Sequence, residues 1–208
     1  MPAGLKDFSG VVLDIGAADR WIECLLSKST YYVAFDYPAT AQHMYGTYPD
    51  VFGDAARLPF KNASFDGVIC LEVLEHVADP KAVMQEIGRV LKPGGSGWIS
   101  MPFLYPLHDA PFDFQRYTHY GLQRDARLAG LEIVSLNKNG HALHNAGLMM
   151  CLALAGGLHA NKRWYKWVLL PFALLAIPAI NLGAWITSFF WPDWDHMGHG
   201  HSLEVLKK

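Results

Sequence analysis

Residues 11–21 read VVLDIGAADRW, an apolar run that ends in Asp14 and breaks at Gly16. Such a run predicts a buried strand, and a glycine directly behind it predicts a tight turn opening into a helix. That strand–turn–helix corner is where open α/β sheets receive nucleotides. Gly16 supplies backbone angles closed to other residues. Asp19 is placed to cap a helix that would carry Trp21, Cys24 and Leu25 on its inner face.

Outward from this corner the apolar segments keep alternating in type. A second strand, Tyr31 to Phe35, ends at Asp36 about 20 residues after the turn, where a carboxylate can accept both hydroxyls of a ribose. A further strand spans Phe65 to Leu71. Asp79-Pro80 then starts a helix with an Asp cap and proline at its first position; Val83, Ile87, Val90 and Leu91 form its apolar stripe, and Pro93-Gly94-Gly95 ends it. Strands at Gly97 to Met101, Leu131 to Leu136 and Ser202 to Lys207 follow, with a helix from Thr118 to about Ala129 closed by Gly130. The pattern predicts an α/β fold, a doubly wound, mostly parallel seven-stranded sheet of Rossmann type with an apolar helical insertion before the last strand. Its expected divisions are a core at 1–137, an insertion at 138–196 and a returning strand at 197–208.

With 208 residues the chain can bury one substantial core, and its net charge of −2 offers no electrostatic case for nucleic acid. Cys24, Cys70 and Cys151 are widely spaced in apolar segments and read as reduced core thiols of a cytosolic protein. The opening MPAGLKDFSG has no apolar run of the secretory kind and is too short for a helix ahead of the first strand.

AFDYP, GDAARLPF, FDGVICLEVLEHVADP and LKPGGSGWIS stand at the offsets of a class I S-adenosylmethionine-dependent methyltransferase, and the chain from roughly Gly10 to Asn137 resembles that family. The branch it looks like acts on glycans, lipids and quinone-type molecules. The resemblance implies S-adenosylmethionine as cofactor, held by Asp14, Gly16, Ala18, Asp36, Asp54, Ala55 and Leu71, with Asp54-Ala55 in the adenine-binding segment. One departure is visible. The family usually carries glycine at the positions of Ala18 and Arg20; the methyl group of Ala18 narrows the approach to the cofactor, and Arg20 lies where it can point to solvent.

The chemistry is expected on the loops after the strands. Glu72, Glu75 and His76 follow the fourth strand and His108 the fifth; read as a helical segment, E-x-x-E-H puts its three ligating side chains on one face. This resembles the divalent-metal cluster of small-RNA 2′-O-methyltransferases and quinone-ring O-methyltransferases, which implies Mg²⁺ or a similar ion on Glu72, Glu75, His76 and His108. Two other readings stand beside it. Either His76 or His108 is a metal-free general base with Glu75 as a catalytic neighbour, or Glu75 pairs locally and His76 packs against the sheet. The loop PFLYPLHDAPFDFQRYT resembles that of methyltransferases of polysaccharide and glycolipid assembly, which implies substrate contacts from Phe112, Phe114, Arg116 and Tyr117. Alternatively Asp113 pairs with Arg116 and Thr118 merely caps the next helix. In the tail PDWDHMGHGH, a metal site at Asp193, Asp195, His196, His199 and His201 is weighed against a solvated loop.

Residues 138–191 break the pattern. Between Lys138 and Lys162 no residue is formally charged, and Trp167 to Pro192 is a second uncharged stretch, interrupted by Pro171 and Pro178 and long enough to cross a bilayer. Between them KRWYKW mixes Lys162, Arg163 and Lys166 with aromatics, as at a membrane–water interface. Monotopic insertion from the cytoplasmic face is expected, because a double crossing would put those cations on the far side; a spanning hairpin and a soluble lid or dimer face are the alternatives. The reading is a membrane-associated methyltransferase of the cytoplasmic leaflet, O-methylating a small-molecule, lipid-linked, glycan or other amphipathic acceptor. Its rival is a non-catalytic subunit docked in a membrane protein complex; a nucleotide-dependent oxidoreductase explains neither GDAARLPF nor LKPGG.

Overall fold

The computed structural model describes residues 8–160 and 163–208. Seven strands form one mixed sheet: β1 (Val11–Ile15), β2 (Tyr31–Asp36), β3 (Val51–Phe52), β4 (Phe65–Leu71), β5 (Leu91–Pro102), β6 (Leu131–Asn139) and β7 (Gly200–Lys207), in the order β3-β2-β1-β4-β5-β7-β6. The pairs β1–β2, β1–β4, β2–β3 and β4–β5 are parallel, with Val12 opposite both Tyr32 and Gly67. The order reverses at β1, so the carboxyl ends of β1, β2 and β4 border the switch point where such sheets bind ligands.

The chain divides into two units, one of Met1–Pro102, Asp109–Asn137 and His201–Lys208, the other of Phe103–His108 and Lys138–Gly200. In the first, Leu13, Ile15, Val68, Cys70, Ile99 and Leu203 make a continuous core with the inner face of helix α1 (Pro80–Val90): Val83, Met84, Ile87 and Val90. Asp79 caps α1 by accepting from the Ala82 N–H at 3.1 Å, and Thr118 caps α2 (His119–Leu128) by accepting from Gly121 at 3.2 Å, so both helix starts lie where the sequence puts them. Burying those four α1 side chains contributes roughly 1.5–3 kcal/mol each.

The segment between β1 and β2 corrects one expectation. No long helix forms there; Glu23–Leu25 is a single short turn, without a side-chain cap from Asp19. Trp21 and Cys24 are exposed, and Ile22 is the residue that buries. Cys24 is therefore no core thiol, whereas Cys70 and Cys151 are, and none of the three is in a disulfide.

The second unit is a helical pair, α3 (Ala142–Ala160) and α4 (Lys166–Ser188), closed at its base by a polar clasp. Asn145, buried, donates to the carbonyls of Asn139, Gly140 and Met197 and shares a 2.9 Å bond with His199. Asp193 accepts from Lys138 at 2.6 Å and from the Ala142 N–H at 2.9 Å. The tail thus spends Asp193 and His199 on holding the helix ends; among the described residues its acids and histidines form no metal-ligating group. Lys162 lies outside the described residues.

Candidate active site

β1 ends in a turn that only its sequence could make. Gly16 has φ +74°, and a Cβ there would come within 2.3 Å of Val73 Cγ2, so a side chain is excluded by conformation and by contact. The N–H groups of Gly16 and Ala17 both donate to the Phe35 carbonyl, at 2.8 and 3.1 Å, tying the turn to the end of β2. Asp36 completes the tie: Oδ2 accepts from the Ala18 N–H at 2.9 Å, and Oδ1 from the Tyr37 N–H at 2.6 Å. Ala18 and Arg20 occupy the left-handed region, φ 44° and 63°, which glycine adopts without strain. Arg20 does not point away to solvent. It bonds Asp50 at 2.9 Å and Glu23 at 3.1 Å and lies 5.3 Å from the centre of the Tyr32 ring.

Behind the turn, Asp14 is buried and accepts from the Tyr32 hydroxyl at 2.5 Å; burial pushes its carboxyl up to about 7. Asp54 caps the short turn Ala55–Arg57 through the Ala56 N–H, and Ala55 is buried beneath it. The following ARLPF segment is gripped from α1. Arg89 grips Glu86 with two bonds and donates to the carbonyls of Leu58 and Phe60, while Glu86 accepts from the Leu58 N–H at 2.7 Å. Such a charge-assisted lattice fixes a loop that has no ladder of its own. A turn tied to a carboxylate at the end of β2, beside the Asp54-Ala55 turn, presents acceptors suited to the ribose hydroxyls of S-adenosylmethionine.

After Leu71 the chain departs from expectation. Glu72 takes φ +55° and accepts from the Ser100 hydroxyl at 2.5 Å, and Leu74–His76 is a short tight turn. Glu72, Glu75 and His76 therefore do not share a helical face: Glu72 is exposed and Glu75 wholly buried. Burial pushes the Glu75 carboxyl up to about 8, with the nearby Glu72 adding to the rise, so it holds its proton at neutral pH. His76 Nε2 lies 3.6 Å from Glu75 Oε1 and 3.9 Å from Asp109 Oδ2. His76 Nδ1 is 3.0 Å from the Phe112 carbonyl; a carbonyl only accepts, so the ring hydrogen sits on Nδ1 and Nε2 is the basic nitrogen. Glu72 is turned to Ser100 and so does not join Glu75 and His76 in a shared four-ligand set. His108 belongs to the other unit, its Nδ1 3.3 Å from the Pro106 carbonyl.

The loop after β5 packs onto this turn. Gln115 donates to the carbonyls of Leu74 and Val77 at 2.5 and 2.7 Å, and the Phe114 N–H donates to Glu75 O at 2.8 Å. Phe112 is half-buried and Phe114 exposed. Arg116 pairs with Asp113, the local pairing that the sequence offers as the alternative to a substrate role. Tyr117 packs against the core with its hydroxyl on Asp125. Sequence reasoning missed Tyr45 and Asp109. Tyr45 closes a wide helical turn, Ala39–Tyr45, and its hydroxyl donates to Asp109, which holds φ +47°.

Comparison with known proteins agrees with this geometry. The family model of a methyltransferase domain matches residues 13–99. A Mycolicibacterium smegmatis protein named as a probable S-adenosylmethionine-dependent methyltransferase is 30% identical over 157 residues, 70% of this chain and 60% of its own length. A ubiquinone biosynthesis O-methyltransferase of Idiomarina loihiensis is 58% identical over 38 residues, 18% of this chain and 16% of its own. The chain thus spans less than two thirds of these relatives. Among solved structures, the [4+2]-cyclase SpnF aligns with TM-score 0.59 and 17% identity over 99% of this chain and 77% of its own. Phosphoethanolamine N-methyltransferase 2 of Haemonchus contortus, in complex with S-adenosyl-L-methionine, aligns with 0.54 and 17% over 96% and 49%. Fold, cofactor corner and family match converge: residues 13–99 match a methyltransferase domain, and this match and the relatives support a class I S-adenosylmethionine-dependent methyltransferase family for the chain.

Proposed function

We propose that the protein is a membrane-associated, S-adenosylmethionine-dependent O-methyltransferase working without a metal on an amphipathic acceptor at the cytoplasmic leaflet. The observation that carries the chemistry is His76, whose Nδ1 bond to the Phe112 carbonyl leaves Nε2 basic beside Asp109 and Glu75. When bound, S-adenosylmethionine supplies a methyl group on a positive sulfur. Asp36 and Asp54 hold the nucleoside. His76 takes the acceptor's hydroxyl proton at Nε2 as the methyl leaves sulfur for oxygen, and the Asp109 carboxylate 3.9 Å away faces the imidazolium that forms. Local similarity to O-methyltransferases favours oxygen as the methylated atom. Exposed Phe114 and half-buried Phe112 offer apolar cover to the acceptor.

The exposed apolar helices of the second unit support the membrane reading. Among the described residues α4 is long and apolar enough to cross a membrane, and Trp167, Phe172, Leu175 and Trp185 on it are exposed. Transfer of labelled methyl from S-adenosylmethionine into the solvent-extractable fraction of membranes, resistant to chelator and lost in His76→Ala, is the test. Label that appears only in water-soluble product would refute the amphipathic acceptor. The rival non-catalytic reading has one observation in its favour: the strained φ of Ala18 and Arg20, where glycine would sit freely.

A further inference from the structure

The helical pair has a design that says how deeply it enters a bilayer. α3 and α4 run against each other: a Cβ on Gly147 would lie 2.9 Å from that of Ala184, Cys151 Sγ is 3.7 Å from the Ile177 carbonyl, and His144 Nε2 is 2.9 Å from Ser188 Oγ. This register puts His144 and Ser188 at one end and the turn at 163–165 at the other. Pairing covers only one side of each helix, and the remaining sides are apolar. In α4 Asn181 is the one polar side chain between Lys166 and Thr187; in α3 only the Cys151 thiol lies between Asn145 and His159. A helix that lies flat in one leaflet needs a polar stripe along its length, and neither helix has one.

Aromatic residues form two bands instead. Trp164, Tyr165 and Trp167 ring the turn; Trp185, Phe189, Phe190 and Trp191 ring the other end, nearly all exposed. Trp167 and Trp185 stand eighteen residues apart on α4, about 27 Å at the helical rise, close to the ~30 Å of a hydrocarbon core. Belts at both interfaces are the mark of a spanning segment. The cations at the turn are seated on rings, Arg163 6.0 Å from the Tyr165 centroid and Lys166 5.2 Å from that of Trp167, an arrangement suited to headgroup depth. Pro171 and Pro178, costly in a water-exposed helix, are ordinary in a spanning one.

We propose that α4 crosses the full hydrocarbon layer, with the turn around Arg163 at the far interface and Ser188 at the near one, and that α3, whose apolar run is too short to span by itself, is carried across packed against it. This rests on the membrane reading above and replaces the one-leaflet insertion expected from charge alone: two described cations bias topology weakly, whereas a flat helix would leave an apolar side in water along its whole length.

The test uses the full chain in a bacterial inner membrane, with Cys24→Ser removing the exposed thiol, and single Arg163→Cys and Asp195→Cys variants. A membrane-impermeant maleimide is applied to intact spheroplasts and to inverted vesicles. Labelling of Arg163→Cys at least tenfold faster in one preparation, and of Asp195→Cys at least tenfold faster in the other, is expected; Trp164→Cys should repeat the Arg163→Cys result. Labelling of both positions from one side, or of neither turn position from either, overturns the crossing while a protein that resists carbonate extraction still supports membrane association. Release of the protein by carbonate overturns both.

Discussion

The Ala18 N–H donates to Asp36 Oδ2 at 2.9 Å, so the glycine turn and the carboxylate that ends β2 are one hydrogen-bonded unit. Asp36→Ala should therefore lose two things together, the acceptor for the ribose hydroxyls and the anchor of the turn. Bonds to a charged acceptor are worth roughly 1.5–3 kcal/mol each, so affinity for S-adenosylhomocysteine should drop at least tenfold by calorimetry. A folded Asp36→Ala protein with native affinity would remove Asp36 from the site.

Ala18→Gly should raise thermal stability, because an L-residue in the left-handed region costs roughly 1–2 kcal/mol. Cofactor affinity should hold or improve. Gly16→Ala should do the reverse, since its new methyl meets Val73 and its φ is +74°. A melting temperature that moves the same way in both variants would contradict this account of the turn.

His76→Ala should lower kcat by roughly 10²–10⁴, the usual worth of a positioned base, with little change in S-adenosylhomocysteine affinity. EDTA should leave the wild-type rate unchanged. Full activity in His76→Ala, or abolition by EDTA with rescue by Mg²⁺, would overturn the metal-free mechanism.

Asp14 and Glu75 make stability depend on pH. Burial raises their carboxyls to about 7 and about 8, so the folded state holds these protons more tightly than the unfolded chain. Their contribution is full below the ordinary carboxylate range and is lost as pH rises through the folded values. The opposing influence of His201, whose folded value burial lowers, ends near its ordinary 6.5. Between pH 6.5 and 8 the urea midpoint should fall, and Glu75→Gln should flatten the fall. A midpoint that rises over that interval would contradict the burial argument.

Much of this was legible in the sequence because it is written in local pattern. The runs Val11–Ile15, Tyr31–Asp36 and Phe65–Leu71, the Asp79 and Thr118 caps and the Gly130 stop each depend on neighbours a few residues away. The failures have physical reasons as well. ADRWIECLLS is too short and broken to propagate a helix, so it makes one short turn and leaves Trp21 outside. E-x-x-E-H has helical spacing, but Glu72 reaches for Ser100 with a left-handed backbone, and the face is lost. Tyr45 and Asp109 meet across 64 positions, and Gln115 finds Leu74 across 41. No periodicity announces such contacts.

Calorimetric titration of the full-length protein with S-adenosylhomocysteine tests the central claim most directly. Micromolar binding at one site per chain, abolished by Gly16→Ala and weakened by Asp36→Ala, is the predicted result. No binding at millimolar ligand to a folded protein would contradict it and leave a methyltransferase fold without its cofactor.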